Sequence, residues 1–283
     1  MMVREQTSAK GNSPRDKLQV AIAGFGAIGG AVARSLDKGI DGLRLSAVSA
    51  RDRAKAERRL REFREPVPVV ALAELAAQAD VVVECAPAPV FLDVALPTLE
   101  AGRILMPLSV GALLEHPELV ELARERGGRI LVPTGALIGL DAVRAAAEGT
   151  IHSVRMVTRK PPKGLAGAPY LIAKGISLDD LNGPMKVFEG TAREGARGFP
   201  ANVNVAAALS LAGIGPDRTM LEVWADPTLA RNIHRIEVEA DSASFAMTIE
   251  NVPSEENPRT GRITALSAIA TLRGLASAFR VGT

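Results

Sequence analysis

Three glycines near the start of the chain have the spacing of a phosphate-binding turn. An apolar run, Leu18–Ala23, leads directly into Gly24, Gly26 and Gly29. A strand that turns sharply into a helix leaves backbone N–H groups unpaired at the helix N-terminus, and these groups favour an anionic pyrophosphate. Because glycines permit both the tight turn and the close approach of backbone to phosphate, the pattern predicts nucleotide binding, with a glycine-rich turn of another α/β domain as the alternative. The predicted contacts are Gly24, Gly26, Ala27, Ile28 and Gly29.

Three histidines are candidates for proton transfer, because imidazole titrates near neutral pH. His116 precedes a proline at a predicted helix start, and His152 lies in a connection, so both are interpreted as surface or capping residues. His234 lies in a polar loop that leads into a predicted strand of a second lobe. It could carry the proton that accompanies hydride transfer, or it could be satisfied by local hydrogen bonds. No cluster of His, Asp and Glu has the spacing of metal ligands, so no metal site is predicted.

Two cationic side chains and one amide could hold an anionic substrate and a nicotinamide ring. Arg159 and Lys160 follow a predicted strand and could pair with carboxylates, although solvated surface is the commoner position for such a pair. Asn204 precedes an alanine-rich helix and could bind the nicotinamide carboxamide or cap the helix.

The elements that must position these residues alternate between apolar runs and helix-length segments up to about Pro133. This repeated βα pattern predicts a doubly wound parallel sheet covered on both faces. The predicted strands are Leu18–Ala23, Leu43–Val48, Val67–Val70, Val81–Cys85, Ile104–Leu108 and Arg129–Val132. The carboxyl end of the fourth run is a place where such sheets bind ligands, so Cys85 and Ala86 are predicted cofactor contacts. Glu84 is either a site group or a solvated carboxylate, and Cys85 is interpreted as a small buried apolar residue rather than a nucleophile.

The end of the second strand lacks the acidic residue that usually binds the adenosine ribose. The stretch there reads Ser49-Ala50-Arg51-Asp52-Arg53. Arg51 could instead receive a 2′-phosphate, or it could belong to the solvated face of a charged helix. The choice between NAD and NADP therefore stays open.

Beyond Pro133 the pattern predicts an α+β domain with a mixed or antiparallel sheet. The predicted elements are the strands Ser153–Thr158, Leu221–Ala225, Ile236–Ala240 and Phe245–Val252, and the helices Asn202–Ala212 and Ile263–Phe279. The last helix has Leu266, Ile269, Leu272, Leu275, Ala276 and Phe279 at near-helical spacing, and we expect it to return to the first lobe. The predicted domains are a disordered tail at 1–17, a dinucleotide-binding domain at 18–133 completed by 257–283, and a substrate-binding and dimerisation domain at 134–256.

Composition favours a small-molecule protein of the reducing cytoplasm. The 34 basic and 32 acidic side chains are mixed along 283 residues, which argues against nucleic acid or an anionic membrane as a partner. A single cysteine, Cys85, excludes an internal disulfide. The polar start lacks the apolar centre of a signal peptide, and no run is long enough to span a membrane.

From Leu18 onward the chain resembles the L-aspartate dehydrogenase family. The glycine turn is shared with many dehydrogenases, whereas the later pieces, in this order and at these distances, are far more specific. The pieces are Gly24-Phe-Gly-Ala-Ile-Gly29, Val83-Glu-Cys-Ala86, Ser109-Val-Gly-Ala-Leu113, Gly135-Ala-Leu-Ile-Gly-Leu-Asp-Ala142, Thr158-Arg-Lys-Pro-Pro162, Phe199-Pro-Ala-Asn-Val-Asn-Val205, Ala225-Asp-Pro227, Asn232-Ile-His234 and Asn257-Pro258.

The resemblance implies a reversible oxidative deamination of L-aspartate with NAD or NADP. Iminosuccinate, the product, would hydrolyse to oxaloacetate and ammonia or feed NAD biosynthesis. The family's proton-transfer residue matches His234, and its further cofactor contacts match Ala136 and Asn204. The resemblance also implies a homodimer. Two alternatives stay open: another reductase acting on a cyclic imine or a 2-hydroxy acid, and a redox sensor that binds a dinucleotide without turnover.

Overall fold

Two five-stranded sheets organise the structure, a computed structural model that describes residues 17–200, 203–257 and 260–282. Residues 1–16 of the predicted tail at 1–17 lie outside the described residues. The first sheet contains the glycine turn, and the second contains the predicted histidine and lysine.

The first sheet is wholly parallel, with its strands in the order β2-β1-β3-β4-β5. The strands are β1 (Leu18–Ala23), β2 (Leu43–Ser49), β3 (Val81–Glu84), β4 (Ile104–Pro107) and β5 (Arg129–Ile130). Consecutive side chains of β1 and β3 enter different apolar clusters, Ile22 and Val83 on one face and Ala21 and Val82 on the other. Burial on both faces explains why these strands read as continuous apolar runs, and it confirms the predicted doubly wound fold.

Helices cover both faces of the first sheet. They are α1 (Ala27–Lys38), α2 (Arg53–Leu60), α3 (Phe91–Glu100), α4 (Val110–Leu114), α5 (Glu118–Arg126) and, from the end of the chain, α11 (Arg262–Ala276). Helix α11 packs beside α1, with Ala268 and Leu272 fully buried against the sheet. The predicted apolar face of this helix is wrong in part, because Leu266 is 60% exposed and Phe279, beyond the helix end, is 78% exposed. The small side chain of Ala268, rather than another large one, marks the buried face.

The second sheet is mixed, as predicted, with strand order β10-β9-β6-β8-β7. Strands β6 and β8 are parallel, and the other neighbours are antiparallel. The strands are β6 (Ile151–Lys160), β7 (Met185–Thr191), β8 (Thr219–Ala225), β9 (Ile233–Ala240) and β10 (Ser244–Glu250). Helices pack on one face of the sheet: α6 (Leu140–Ala147), α7 (Pro162–Leu165), α8 (Pro169–Lys174), α9 (Ala192–Gly198) and α10 (Asn204–Ala212).

Three local predictions differ from the structure. The predicted strand at 67–70 makes only a single bridge, between Val69 and Val48, because the chain passes the sheet edge without continuing along it. Strand β7 was not predicted, and its paired neighbour is β8. His234 lies within β9 rather than in the loop before it, since β9 begins at Ile233.

In the three described ranges, no helix combines the length and the apolar character needed to cross a bilayer. The predicted domain boundaries, at 133/134 and 256/257, stay predictions.

Candidate active site

Two positions of the glycine turn between β1 and α1 must be glycine for steric reasons, and a third position leaves open space for a ligand. Gly24 has φ +96°, and a Cβ there would lie 2.6 Å from the carbonyl oxygen of Cys85. A Cβ on Gly29 would lie 1.9 Å from the carbonyl oxygen of Gly24. Gly26 is the N-cap of α1, and no atom lies within 4 Å of the position its Cβ would take. This turn therefore fits a pyrophosphate held on the N-terminus of α1.

The end of β3 is joined to the start of α4 by a buried carboxylate. Glu84 is 0% exposed, and its carboxylate accepts the N–H of Ala86 at 2.9 Å. It also accepts the N–H and the hydroxyl of Ser109, both at 3.0 Å. Burial raises the pKa of Glu84 despite these hydrogen bonds. Burial and then the charge of Glu84 raise the pKa of the Cys85 thiol well above its usual value, which disfavours the thiolate form.

Replacing Glu84 with alanine is expected to destabilise the fold. The change removes one acceptor of three hydrogen bonds and leaves the N–H groups of Ala86 and Ser109 without their partner. We expect the free energy of unfolding to fall by about 2–4 kcal/mol, measured by urea denaturation followed by circular dichroism. Glu125→Ala, on the exposed side of α5, is the matched control and should stay within about 0.5 kcal/mol of the parent protein. An unchanged stability of Glu84→Ala would contradict the role given to this carboxylate.

A cleft of about 130 Å³ lies where the carboxyl end of the first sheet meets β6 and β9 of the second. It brings together five of the predicted site residues, which are far apart in the sequence. These are Ile28, Ala136, Lys160, Asn204 and His234. The cleft thus begins at the first turn of α1 and extends to the predicted proton-transfer residue.

His234 is held in the cleft by its strand partner. In the antiparallel pairing of β9 with β6, His234 is opposite Thr158, and its Nδ1 lies 2.8 Å from the Thr158 hydroxyl oxygen. The residue is 2% exposed, and burial followed by the positive charge of Lys160 lowers the pKa of His234 to about 3. The imidazole is therefore uncharged at neutral pH. Because Thr158 occupies Nδ1, Nε2 is the nitrogen left to exchange a proton with a ligand.

Lys160 brings a buried positive charge to the same cleft. It lies two residues after Thr158, so both side chains are on the inner face of β6. It is 5% exposed, and burial lowers the pKa of Lys160 to about 8. At neutral pH the ammonium group is still mostly charged, which suits it to bind a carboxylate.

The two cofactor contacts predicted beyond the glycine turn, Ala136 and Asn204, make hydrogen bonds with distant parts of the chain. Asn204 accepts the N–H of Gly111 at 2.9 Å through Oδ1, which leaves its amide nitrogen as the donor for a ligand. Ala136 O accepts a hydrogen bond from Nδ2 of Asn251 at 3.2 Å. In the preceding residue, the backbone N–H of Gly135 donates to Ser267 of α11 at 3.0 Å. Two consecutive residues of this loop, Gly135 and Ala136, are therefore anchored by residues from the end of the chain.

The structure does not bring Arg159 to the cleft, contrary to the prediction. Neighbouring residues of a strand point to opposite faces, so Arg159 lies on the outer face of β6 when Lys160 lies on the inner one. Its guanidinium group lies 5.0 Å from the centre of the Trp224 ring and 3.7 Å from Asp226. Arg51 is also outside the cleft, on the exposed turn after β2.

The sequence did not single out several residues of this cleft. Thr158 has the same inward spacing as Lys160, which was the available signal for it. Asn232 lines the cleft from within the quoted piece Asn232-Ile-His234, although no role was predicted for it. Thr260 lines the cleft from an irregular segment, and Asn251 supports it from 115 residues beyond its partner in the chain. No local pattern marks Thr260 or Asn251. Among the residues that the structure describes, no three His, Cys, Asp or Glu side chains come close enough to hold a metal ion.

Comparisons with known proteins agree over nearly the whole chain. A family model described as "Homoserine dehydrogenase, NAD binding domain" matches residues 24–133, and one described as "Aspartate dehydrogenase, C-terminal" matches residues 141–275. An L-aspartate dehydrogenase of Bradyrhizobium diazoefficiens is 58% identical over 267 residues, which cover 94% of this chain and 95% of that protein. L-aspartate dehydrogenase 3 of Bordetella bronchiseptica is 57% identical, with 96% and 100% covered. The crystal structure of an aspartate dehydrogenase from Thermotoga maritima matches with a TM-score of 0.70 at 25% identity, covering 94% and 99%.

Proposed function

Because this chain belongs to the L-aspartate dehydrogenase family, which oxidatively deaminates L-aspartate with NAD or NADP, we propose that His234 transfers the proton and that Lys160 binds a substrate carboxylate. The observation that carries the proposal is the single cleft in which both side chains meet the first turn of α1. Deamination of a dicarboxylic amino acid requires a cation to bind a carboxylate and a base to accept a proton, and the cleft provides one of each.

The proposed cofactor contacts extend from the glycine turn into this cleft. Gly26 would approach the pyrophosphate, and Ala136 and Asn204 would face the nicotinamide half. Cys85 and Ala86 lie beside the glycine turn and would border the same path. When bound, the dinucleotide supplies the acceptor for the hydride that leaves the substrate Cα.

His234 would accept a proton from the substrate ammonium group. Loss of that proton leaves the nitrogen lone pair available to form the C=N bond of iminosuccinate as the Cα–H bond breaks. Lys160 would hold a carboxylate of the substrate. That negative charge offsets the charge of Lys160, which after burial is the second cause that lowers the pKa of His234. Binding of the substrate therefore raises the pKa of His234 and makes it a stronger base when the reaction needs one.

The relatives do not favour the two alternative functions. Both high-identity relatives are L-aspartate dehydrogenases and match over almost their full length, which argues against a cyclic-imine or 2-hydroxy-acid reductase. The same matches argue against a sensor without turnover.

The direct test is the initial rate with L-aspartate and each cofactor, followed by the absorbance of reduced nicotinamide. D-aspartate, L-glutamate and L-malate serve as comparison substrates. We expect L-aspartate to give the highest kcat/KM with either cofactor. A higher value for malate would show that the amine is not what the site recognises.

We also propose that the protein is a homodimer joined through the outer face of the second sheet. This face is open and has a shallow depression of about 300 Å³ lined by Trp224 and by alternating basic and acidic side chains. Arg155 bridges Glu222 at 2.6 Å and Glu237 at 3.1 Å. A two-fold axis through such a face would place arginines of one copy near glutamates of the other, and Trp and Arg are enriched in interfaces. A monomeric mass by light scattering at assay concentration would contradict this arrangement.

The cytoplasmic location stays part of the proposal. Its support is that the sequence has a single cysteine, Cys85, so the fold does not depend on an internal disulfide. Fractionation of the native cells, with activity measured in each fraction, tests it.

A further inference from the structure

We propose that the turn after β2 binds the 2′-phosphate of an adenosine ribose and gives the enzyme a preference for NADP over NAD. The inference rests on the proposed pyrophosphate site at the glycine turn. It adds to that proposal a second anion-binding position, formed by Arg51 and Arg59, and the chemical class of its ligand.

The end of β2 lies directly beside the glycine turn. The N–H of Gly24 donates to the carbonyl oxygen of Ser49, the last residue of β2, at 2.9 Å. A ribose attached to a pyrophosphate on α1 would therefore reach the residues that follow Ser49. In NAD-binding sites of this fold an acidic residue near this point accepts the ribose hydroxyls. Here the next residue is Ala50, which has no group to do so.

Arg51 supplies a positive charge at this point. Its side chain is exposed, and it has no ion pair or hydrogen bond within the described part of the chain. A guanidinium group has several N–H donors in a fixed plane and binds phosphate oxygens in pairs. A guanidinium group in place of the usual carboxylate makes the ribose site favour a negatively charged 2′-phosphate over a neutral 2′-hydroxyl.

Arg59 supplies a second positive charge and is fixed in position. Its Nη1 donates to the carbonyl oxygen of Phe25, inside the glycine turn, at 3.0 Å. Its Cζ lies 4.6 Å from the centre of the Phe25 ring, and a Cβ on Gly30 would lie 2.7 Å from its Nη2. The side chain thus lies between α2 and the first turns of α1, on the side where the ribose would enter.

The nearby acidic side chains already have partners. Asp52 caps α2 by accepting the N–H of Lys55 at 2.9 Å. Glu57 accepts a hydrogen bond from Arg53 at 2.8 Å. The charge of Glu57 is therefore offset by Arg53, and the Asp52 carboxylate is engaged by the N-terminus of α2.

The test measures cofactor binding without substrate, so it does not depend on turnover. Dissociation constants for NADPH and NADH are measured by fluorescence, and those for adenosine 2′,5′-bisphosphate and 5′-AMP by calorimetry. The parent protein should bind NADPH and the bisphosphate more tightly than their counterparts. In Arg51→Ala we expect affinity for both 2′-phosphorylated ligands to fall about tenfold or more, with NADH within about twofold.

Two further variants make the outcome specific. Arg61→Ala, which removes an exposed arginine at the C-terminal end of α2, is the matched control and should leave all four dissociation constants unchanged. Ala50→Asp restores the usual acid and should reverse the preference toward NADH. Equal binding of NADPH and NADH by the parent, or an equal loss of both in Arg51→Ala, would overturn the inference while leaving the pyrophosphate site intact. Failure to bind any of the dinucleotides would instead refute the proposed function.

Discussion

His234→Ala is expected to deaminate L-aspartate about 10²- to 10⁴-fold more slowly than the parent protein while binding NAD(P)H with unchanged affinity. The substitution removes the one imidazole in the cleft and leaves the glycine turn, on the other sheet, untouched. The loss should appear in kcat, because proton transfer belongs to the reaction rather than to cofactor binding. Steady-state rates together with fluorescence titration of the cofactor separate the two effects.

The matched control is His152→Ala, which changes an exposed histidine at the other end of the second sheet. The kcat of this variant should stay within about twofold of the parent value, because a substitution at the surface rarely affects a distant site. If His234→Ala kept most of its turnover, the assignment of the proton-transfer residue would be wrong. A second variant, Thr158→Val, removes the hydroxyl beside Nδ1 and should lower kcat less than His234→Ala does.

Lys160→Met should weaken the enzyme and stabilise the fold at the same time. Loss of a charge-assisted contact with a carboxylate should raise the KM for L-aspartate about 10- to 100-fold. Removal of the Lys160 charge should also raise the pKa of His234, which that charge lowers. The acidic limb of the kcat/KM profile should therefore move to higher pH. The exposed Lys163→Met is the control and should change neither quantity.

The stability effect follows from burial of the Lys160 ammonium group. Burial lowers its pKa from 10.5 to about 8, so at pH 7 the charged form costs on the order of 3 kcal/mol in the folded protein. Between about pH 8 and pH 10.5 the unfolded chain binds more protons, so the stability of the parent rises with pH. Lys160→Met should unfold at a higher temperature at pH 7, and its advantage should shrink as pH rises toward 10.5. A less stable Lys160→Met with an unchanged KM would show that the lysine is structural.

The glycine turn was predictable because its requirements are local. Gly24 and Gly29 must be glycine to avoid backbone atoms within a few residues or in the adjacent strand, and Gly26 must leave its side open. The alternating βα pattern of the first sheet is equally local, so both the fold class and the position of the turn follow from the sequence. The proposed cofactor preference is not local in this way, since the proposal depends on where Arg59 is anchored as well as on Arg51.

The environment of His234 was not predictable, because its partner lies 76 residues away. The polar residues before β9 indicated a loop that continued past the true start of the strand, so the sequence predicted that His234 lies in a loop. The choice between Arg159 and Lys160, in contrast, was available in the sequence. Val154, Met156 and Thr158 alternate with charged or half-exposed residues, and continuing that alternation selects Lys160 for the inner face.

The position of α11 has a consequence for synthesis of the chain. The face of the first sheet that contains Ile22 and Val83 is completed by Ala268 and Leu272, which the ribosome adds more than 180 residues after Val83. In a nascent chain, part of this apolar face of the first sheet therefore stays uncovered until residues 262–276 have been made. Proteolytic removal of residues 262–276 would therefore expose the apolar face of the first sheet.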